Sequence, residues 1–174
     1  MSAFLYRMGA GSPGDVNRTH PVDIEACLID STSGAAPTSY GQAVLLNTTS
    51  GGISQYAAGA ITTSPVAYGV TVRPYPIQAA SATNYGAVDV GAATPATSGI
   101  VDVCRRGYVM VSVQYLPTSV TKGSTVYVRY ATTSAVRYQG GFEGASDTGN
   151  VALTNCIYNG VPDSNGVVEI AFNI

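Results

Sequence analysis

The chain has 174 residues, which suits a single domain, and 45% of them are apolar while only 10% are charged. Its net charge is −2, and its seven arginines and one lysine are spread along the sequence, so it lacks the basic face that nucleic-acid binding requires. A weakly charged surface has little long-range repulsion between copies. Such a surface suits a protein that packs against others, or equally one that tolerates high salt.

The cysteines and the amino-terminal sequence exclude several further classes. Cys27, Cys104 and Cys156 are odd in number and widely spaced, so they form neither a disulfide framework nor a zinc site, and we expect buried thiols in a reducing compartment. The start, MSAFLYRMGAG, has no long apolar run and is not predicted to be a signal peptide. No stretch of the sequence approaches the length of a membrane span.

The first predicted strand is Val22–Ile29, in which apolar residues alternate with polar ones. This period of two is typical of a half-buried strand, with Val22, Ile24, Ala26 and Leu28 on the apolar face. Similar runs predict later strands, in chain order, at Tyr40–Asn47, Tyr68–Pro76, Ile100–Leu116, Ser124–Ala131, Asn150–Tyr158 and Gly166–Ile174. Residues 79–99 and Gln139–Gly144 are predicted loops, the first with one weak strand at Ala87–Val90.

Strands at this spacing, separated by Gly and Pro and without a helical period, predict an all-β fold. We expect one β-sandwich or barrel, jelly-roll-like, with long loops. Residues 1–20 have few strand signals and are predicted to be an extended N-terminal arm, with the single β domain at 21–174. The arm carries apolar and basic residues outside any core, so we expect it to bind a partner through Phe4, Leu5, Tyr6, Arg7 and Arg18.

Two adjacent arginines, Arg105 and Arg106, interrupt the alternation of the longest strand. Val103 and Val109 have the same parity as Arg105, so an uninterrupted strand would point Arg105 inward, at high cost for an unpaired charge. We therefore predict a bulge or turn here, with Gly107 as its permissive residue. Both arginines then reach the surface as contact residues for carboxylates such as Asp102, in this subunit or across an interface.

Motifs that would indicate catalysis or a cofactor have simpler interpretations. Gly9–Gly14 matches G-x-G-x-x-G, but no strand of sufficient length precedes it and no helical period follows, so a turn is favoured over a dinucleotide site. His20 is the single histidine and has no partners at metal or triad spacing. Asp163–Gly166 reads as a turn between strands rather than a calcium loop. We predict no catalytic residue, no cofactor and no metal.

Twelve tyrosines and no tryptophan are the strongest compositional signal. Tyrosine is enriched at protein interfaces, although it also favours strands and stacks on sugars or bases. A protein interface is favoured over a ligand platform, because tryptophan is the usual platform for sugars.

Six segments resemble the structural cement, or capsid decoration, proteins of tailed bacteriophages. In chain order they are AFLYRMGAGSPGDVNR, YGVTVRPYP, RRGYVMV, GSTVYVRYA, GGFE and GVVEIAFNI. The resemblance implies a non-enzymatic, β-rich virion protein that is made in the host cytoplasm and binds the outside of an icosahedral head. Its implied partners are the major capsid protein and further copies of itself, as dimers or trimers at symmetry axes, with neither nucleic acid nor membrane.

Two alternatives remain open at this level. One is a carbohydrate- or receptor-binding β-module of a phage tail or cell surface. The other is an enzyme, for which Asp23 and Glu25 would be the candidate acids, because they share a strand face.

Overall fold

The computed structural model describes residues 11–30, 34–57, 66–73, 94–95, 97–131, 134 and 136–174. These residues form nine strands and a short 3-10 turn at Pro117–Ser119. The strands are β1 Asp23–Leu28, β2 Ala43–Leu46, β3 Ile53–Gln55, β4 Gly69–Thr71, β5 Ile100–Tyr115, β6 Thr125–Arg129, β7 Phe142–Glu143, β8 Asn150–Tyr158 and β9 Val167–Phe172. No helix in this part of the chain is long and apolar enough to cross a membrane.

The carboxyl-terminal half of the chain closes into a ring of five strands. β5 pairs with β9, β9 with β8, β8 with β6, β6 with β7, and β7 returns to β5 in the one parallel pairing of the ring. Alternate side chains point into the ring and are removed from water, among them Val109, Val111, Val128, Phe142 and Ile170. The larger hydrophobic core of the described chain fills this ring and also includes Ala43, Tyr56, Ala67 and Val70 from the amino-terminal half.

The amino-terminal strands form an open sheet on the other half of β5. Its order is β3, β2, β4, β5 and β1, with every pair antiparallel. A second, smaller core packs on one face of this sheet and consists of Cys27, Ile29, Tyr40, Val44, Ile53, Val101 and Val103. The 16-residue strand β5 therefore belongs to both the ring and the open sheet.

The predicted all-β fold is confirmed, and the predicted strands overlap observed ones. The prediction of a loop at Gln139–Gly144 is wrong for Phe142 and Glu143, which form β7. Two residues are too few to show a period, and the preceding glycines resembled a turn. Most of the predicted loop at 79–99, with its weak strand at Ala87–Val90, lies outside the described residues.

The segment before β1 is bound along β5 of its own chain. The N–H of Gly14 donates to the carbonyl of Met110 at 2.8 Å, and the N–H of Met110 donates to the carbonyl of Asp15 at 2.9 Å. Gly14 has φ +90°, and a Cβ at this position would lie 2.6 Å from the Cβ of Tyr40. The last glycine of the G-x-G-x-x-G match therefore allows close packing within the fold.

Candidate partner-binding surface

The two adjacent arginines lie at a bulge in β5, as predicted. Asp23 is opposite Arg106 while Ile24 is opposite Cys104, so Arg105 is the extra residue of the pairing. Gly107 follows with φ +146°, a region that favours glycine. The strand continues through the bulge, and the apolar residues beyond it point into the ring.

Arg105 is held by its own subunit. Its Nη1 lies 2.7 Å from Glu25 Oε2 on β1, and its guanidinium stacks 3.7 Å from the centre of the Tyr68 ring. The Tyr68 hydroxyl also donates to Glu25, at 2.8 Å, and hydrogen bonds from Tyr68 and Arg105 lower the pKa of Glu25. The partner is therefore Glu25 rather than Asp102, because Asp102 is paired with Ala26 and faces the other side of the sheet. Glu25, one of the two candidate acids of the enzyme alternative, is occupied by these two contacts.

Arg18 is also anchored within the chain. Its Nε and Nη2 donate to the two carboxylate oxygens of Glu169 on β9, at 3.1 and 2.6 Å. Its guanidinium lies 4.1 Å from the centre of the Tyr108 ring on β5. Arg18 thus joins the segment before β1 to the outside of the ring.

Of the remaining predicted contact residues, only Arg106 lies among the described residues. Arg106 is exposed and has no ion pair among the described residues, so its charge is open to a partner. Phe4, Leu5, Tyr6 and Arg7 lie outside the described residues.

An apolar strip on β1 and β5, made of Ile24, Ala26, Leu28 and Ile100, faces solvent. Leu28 and Ile100 are directly paired across the two strands and are 59% and 69% exposed, and Ile24 is 44% exposed. The face expected to be buried is therefore the exposed one, while Cys27 on the opposite face enters the smaller core. The alternation was predicted correctly, but the sheet is packed on the side that carries Cys27.

Comparisons with known proteins identify the family. A chain in the solved structure described as the capsid of Myoviridae phage XM1 has a similar fold, with a TM-score of 0.64 and 20% identity over 98% of this chain and 95% of that one. At that identity the likeness shows the fold alone. The family model of the XM1 gp53 minor capsid protein matches residues 1–172. This chain belongs to that family. No curated protein matches it.

Membership of the XM1 gp53 minor capsid family makes the chain a structural protein of the phage virion, associated with the capsid shell. The resemblance to capsid-associated phage proteins, inferred from six short segments, is confirmed. Four of those segments meet in the structure. SPGDVNR bonds to Met110 of RRGYVMV, Tyr68 of YGVTVRPYP stacks on Arg105 of the same segment, and Arg18 reaches Glu169 of the last segment.

A buried ion network on the outer face of the ring was not predicted from the sequence. Arg129 and Glu143 are fully buried and form two hydrogen bonds, at 2.6 and 3.0 Å. Arg137 and Asn150 also donate to the Glu143 carboxylate, and both arginines reach Asp147. Burial raises the pKa of Glu143, but the hydrogen bonds from Arg129, Arg137 and Asn150 outweigh it and hold this pKa below its usual value.

The network explains why a strand of only two residues is held in the ring. β7 is tied to β6 through Glu143 and Arg129, and the Tyr158 hydroxyl of β8 donates to the Glu143 carbonyl at 2.9 Å. The sequence does contain a pattern that could have indicated this network. Few residues of the chain are charged, and Arg129, Arg137, Glu143 and Asp147 fall close together.

The other candidate sites behave as turns or core residues. The Asp163 carboxylate accepts the N–H groups of Asn165 and Val167, both at 2.9 Å, as expected of a turn. All three cysteines are free and buried. In the described ranges, no group of three or more His, Cys, Asp or Glu is placed to hold a metal.

Tyrosine is used largely within the subunit in the described ranges. Arginines stack on Tyr40, Tyr68, Tyr108 and Tyr115, while Tyr56 and Tyr158 are fully buried. These contacts account for much of the tyrosine signal without an external ligand.

Proposed function

We propose that the protein is a cement protein that binds the outer surface of the phage head and clamps neighbouring major capsid protein subunits. The match of the minor capsid family across residues 1–172 carries this proposal. A cement protein acts in many copies, so modest affinity at each contact is enough once several contacts engage one shell. The scarcity of charge in this chain fits such crowding, since copies repel one another weakly.

The contacts fall into two groups in this proposal. Arg106 is the contact for a carboxylate on the shell, because Arg18 and Arg105 are already engaged by Glu169 and Glu25. Arg18 and Arg105 hold the neighbouring strands in place through their ion pairs. The arm residues Phe4, Leu5, Tyr6 and Arg7 supply the contacts between copies, as dimers or trimers at symmetry axes.

Co-sedimentation with expanded capsids of the cognate phage, stripped of decoration, tests the proposal. We expect saturable binding with a copy number that is a simple fraction of the shell subunits. Absence of binding at micromolar concentrations of folded protein would contradict it, and binding on a glycan array would then favour the carbohydrate-binding module.

A charge reversal tests the contact residue. Arg106→Glu is expected to weaken capsid binding about tenfold or more, as expected when a charged contact is lost at an interface. Lys122→Glu is the matched control, since Lys122 is exposed in the turn after Pro117–Ser119. Equal weakening by both variants would indicate a general charge effect and remove Arg106 as a specific contact.

A further inference from the structure

The tripeptide Asn-Gly-Val occurs twice near the end of the sequence, at residues 159–161 and 165–167. Asparagine is one of the thermolabile residues, because the backbone nitrogen of the next residue can attack its side-chain carbonyl carbon. Glycine in that next position favours the attack, since it has no Cβ and its backbone is free to adopt many conformations. The two sites are therefore alike in local sequence, and the fold decides which of them reacts.

The first site is held by the ion pair that anchors Arg18. The N–H of Asn159 donates to the backbone carbonyl of Glu169 at 2.8 Å, and Asn159 Nδ2 donates to the Glu169 carboxylate. The same carboxylate accepts two hydrogen bonds from Arg18. Before Asn159 can react, its side chain must leave a hydrogen bond to a charged group, which is stronger than a bond between neutral groups.

The second site lies in the exposed turn between β8 and β9. The side-chain amide of Asn165 makes no hydrogen bond to the described part of the chain. The Asn165 N–H donates to the Asp163 carboxylate at 2.9 Å, and the Gly166 N–H donates to the Asp163 carbonyl at 3.0 Å. The attack requires the bond from Gly166 to open, and this bond joins neutral groups at the surface.

We propose that Asn165 is a site of spontaneous deamidation and that Asn159 is protected from it. The backbone nitrogen of Gly166 attacks Cγ of Asn165, the new N–C bond closes a succinimide ring, and the side-chain nitrogen leaves as ammonia with the proton from Gly166. Water then opens the ring at either of its C–N bonds, which gives aspartate or isoaspartate. The reaction needs only this chain and water, so it goes beyond the proposed function and does not depend on it.

Both products alter the turn that leads into β9. Aspartate adds a carboxylate close in sequence to that of Asp163, which already accepts the N–H groups of Asn165 and Val167. Isoaspartate adds a backbone carbon just before Gly166, whose carbonyl accepts the N–H of Val113 at 2.8 Å. In a particle whose subunits are not replaced, these changes accumulate with age.

Peptide mapping by mass spectrometry tests the proposal on the folded full-length protein, incubated at mildly alkaline pH. Deamidation at Asn165 is expected to be about fivefold or more faster than at Asn159, because the bond that protects Asn159 involves a charged group. The rate is expected to rise with pH, since the attacking nitrogen must lose its proton, and isoaspartate is expected beside aspartate. In urea the two sites are expected to react at similar rates.

Two variants test whether the hydrogen bonds set this preference. Asp163→Ala removes the carboxylate that fixes the turn and is expected to speed deamidation at Asn165 alone. Glu169→Ala frees the Asn159 side chain and is expected to speed deamidation at Asn159 alone, and unchanged thermal unfolding confirms that each variant is folded. Equal rates at both sites of the folded wild type, a faster rate at Asn159, no deamidation at Asn165, or rates unaffected in both folded variants would each overturn the inference.

Discussion

The closed ring and the open sheet share β5, but the open sheet packs one face on the smaller core and leaves the apolar strip exposed. Ile170 in the ring is fully buried, while Leu28 and Ile100 on the open sheet are mostly exposed. Closure leaves the ring no free edge, and its one short strand is held by a buried ion network. We propose a division of labour in which the ring supplies most of the stability and the open sheet presents exposed apolar surface.

The largest expected difference concerns the two arginine ion pairs. Arg129→Ala leaves the Glu143 carboxylate in a buried site without its main partner, and we expect a loss of about 3–5 kcal/mol in the free energy of unfolding. Chemical denaturation measures it. Arg105→Ala in the open sheet breaks only an exposed pair, so its effect on stability is expected to be small. Comparable losses in both variants would contradict the division of labour.

A matched pair of isoleucines tests the same division through packing. Ile170→Ala opens a cavity in the ring, with an expected cost of about 2–5 kcal/mol. Ile100→Ala removes an exposed side chain and is expected to change the free energy of unfolding by less than about 0.5 kcal/mol. A large cost for Ile100 would mean that the strip is covered within its own chain.

Acid is expected to destabilise the ring through Glu143. Its pKa is lower in the folded protein than in the unfolded chain, so its stabilising contribution is complete above the unfolded value of about 4.5. That contribution is lost as the pH falls below this value and through the folded pKa. Denaturation midpoints measured between neutral and strongly acidic pH show how steeply the stability falls with pH.

The variant Glu25→Gln is the control for this acid dependence of stability. The pKa of Glu25 is also lowered, but Glu25 is exposed in the open sheet. Glu25→Gln is expected to retain most of the acid dependence, and salt is expected to screen the part it removes. If Glu25→Gln abolished the slope, the ring would not be the source of the acid sensitivity.

The smallest expected difference between paired variants is at Gly107, the junction of the two regions. Gly107→Ala must adopt φ +146°, and its Cβ would lie 3.1 Å from the Pro21 carbonyl oxygen. We expect a loss of about 1–2 kcal/mol in the free energy of unfolding, from strain and crowding together. Gly123→Ala has positive φ but open space around it, so it isolates the strain. Equal losses would show that the contact with Pro21 is unimportant.

The alternation of side chains was enough to predict most strands and the bulge at Arg105, because parity is a local property of the sequence. It was not enough to choose which face of β1 is buried, since that depends on where β2, β3 and β5 pack. The same limit applies to Arg129, which alternation within the predicted strand Ser124–Ala131 places opposite Val126 and Val128, on the polar face. That face is covered by Glu143, Asp147 and Thr148, which lie 14 to 19 residues further along the chain, so the pattern within β6 could not reveal its burial.

The shared strand β5 also sets an order of events during synthesis. β1 must wait for β5, which follows about 75 residues later in the sequence, and the ring closes only when β9 meets β5 and β8. Such distant pairings fold slowly, because long segments must be brought together first. Each subunit is therefore expected to complete its ring only after β9 has left the ribosome, so the closed core forms after synthesis of nearly the whole described chain.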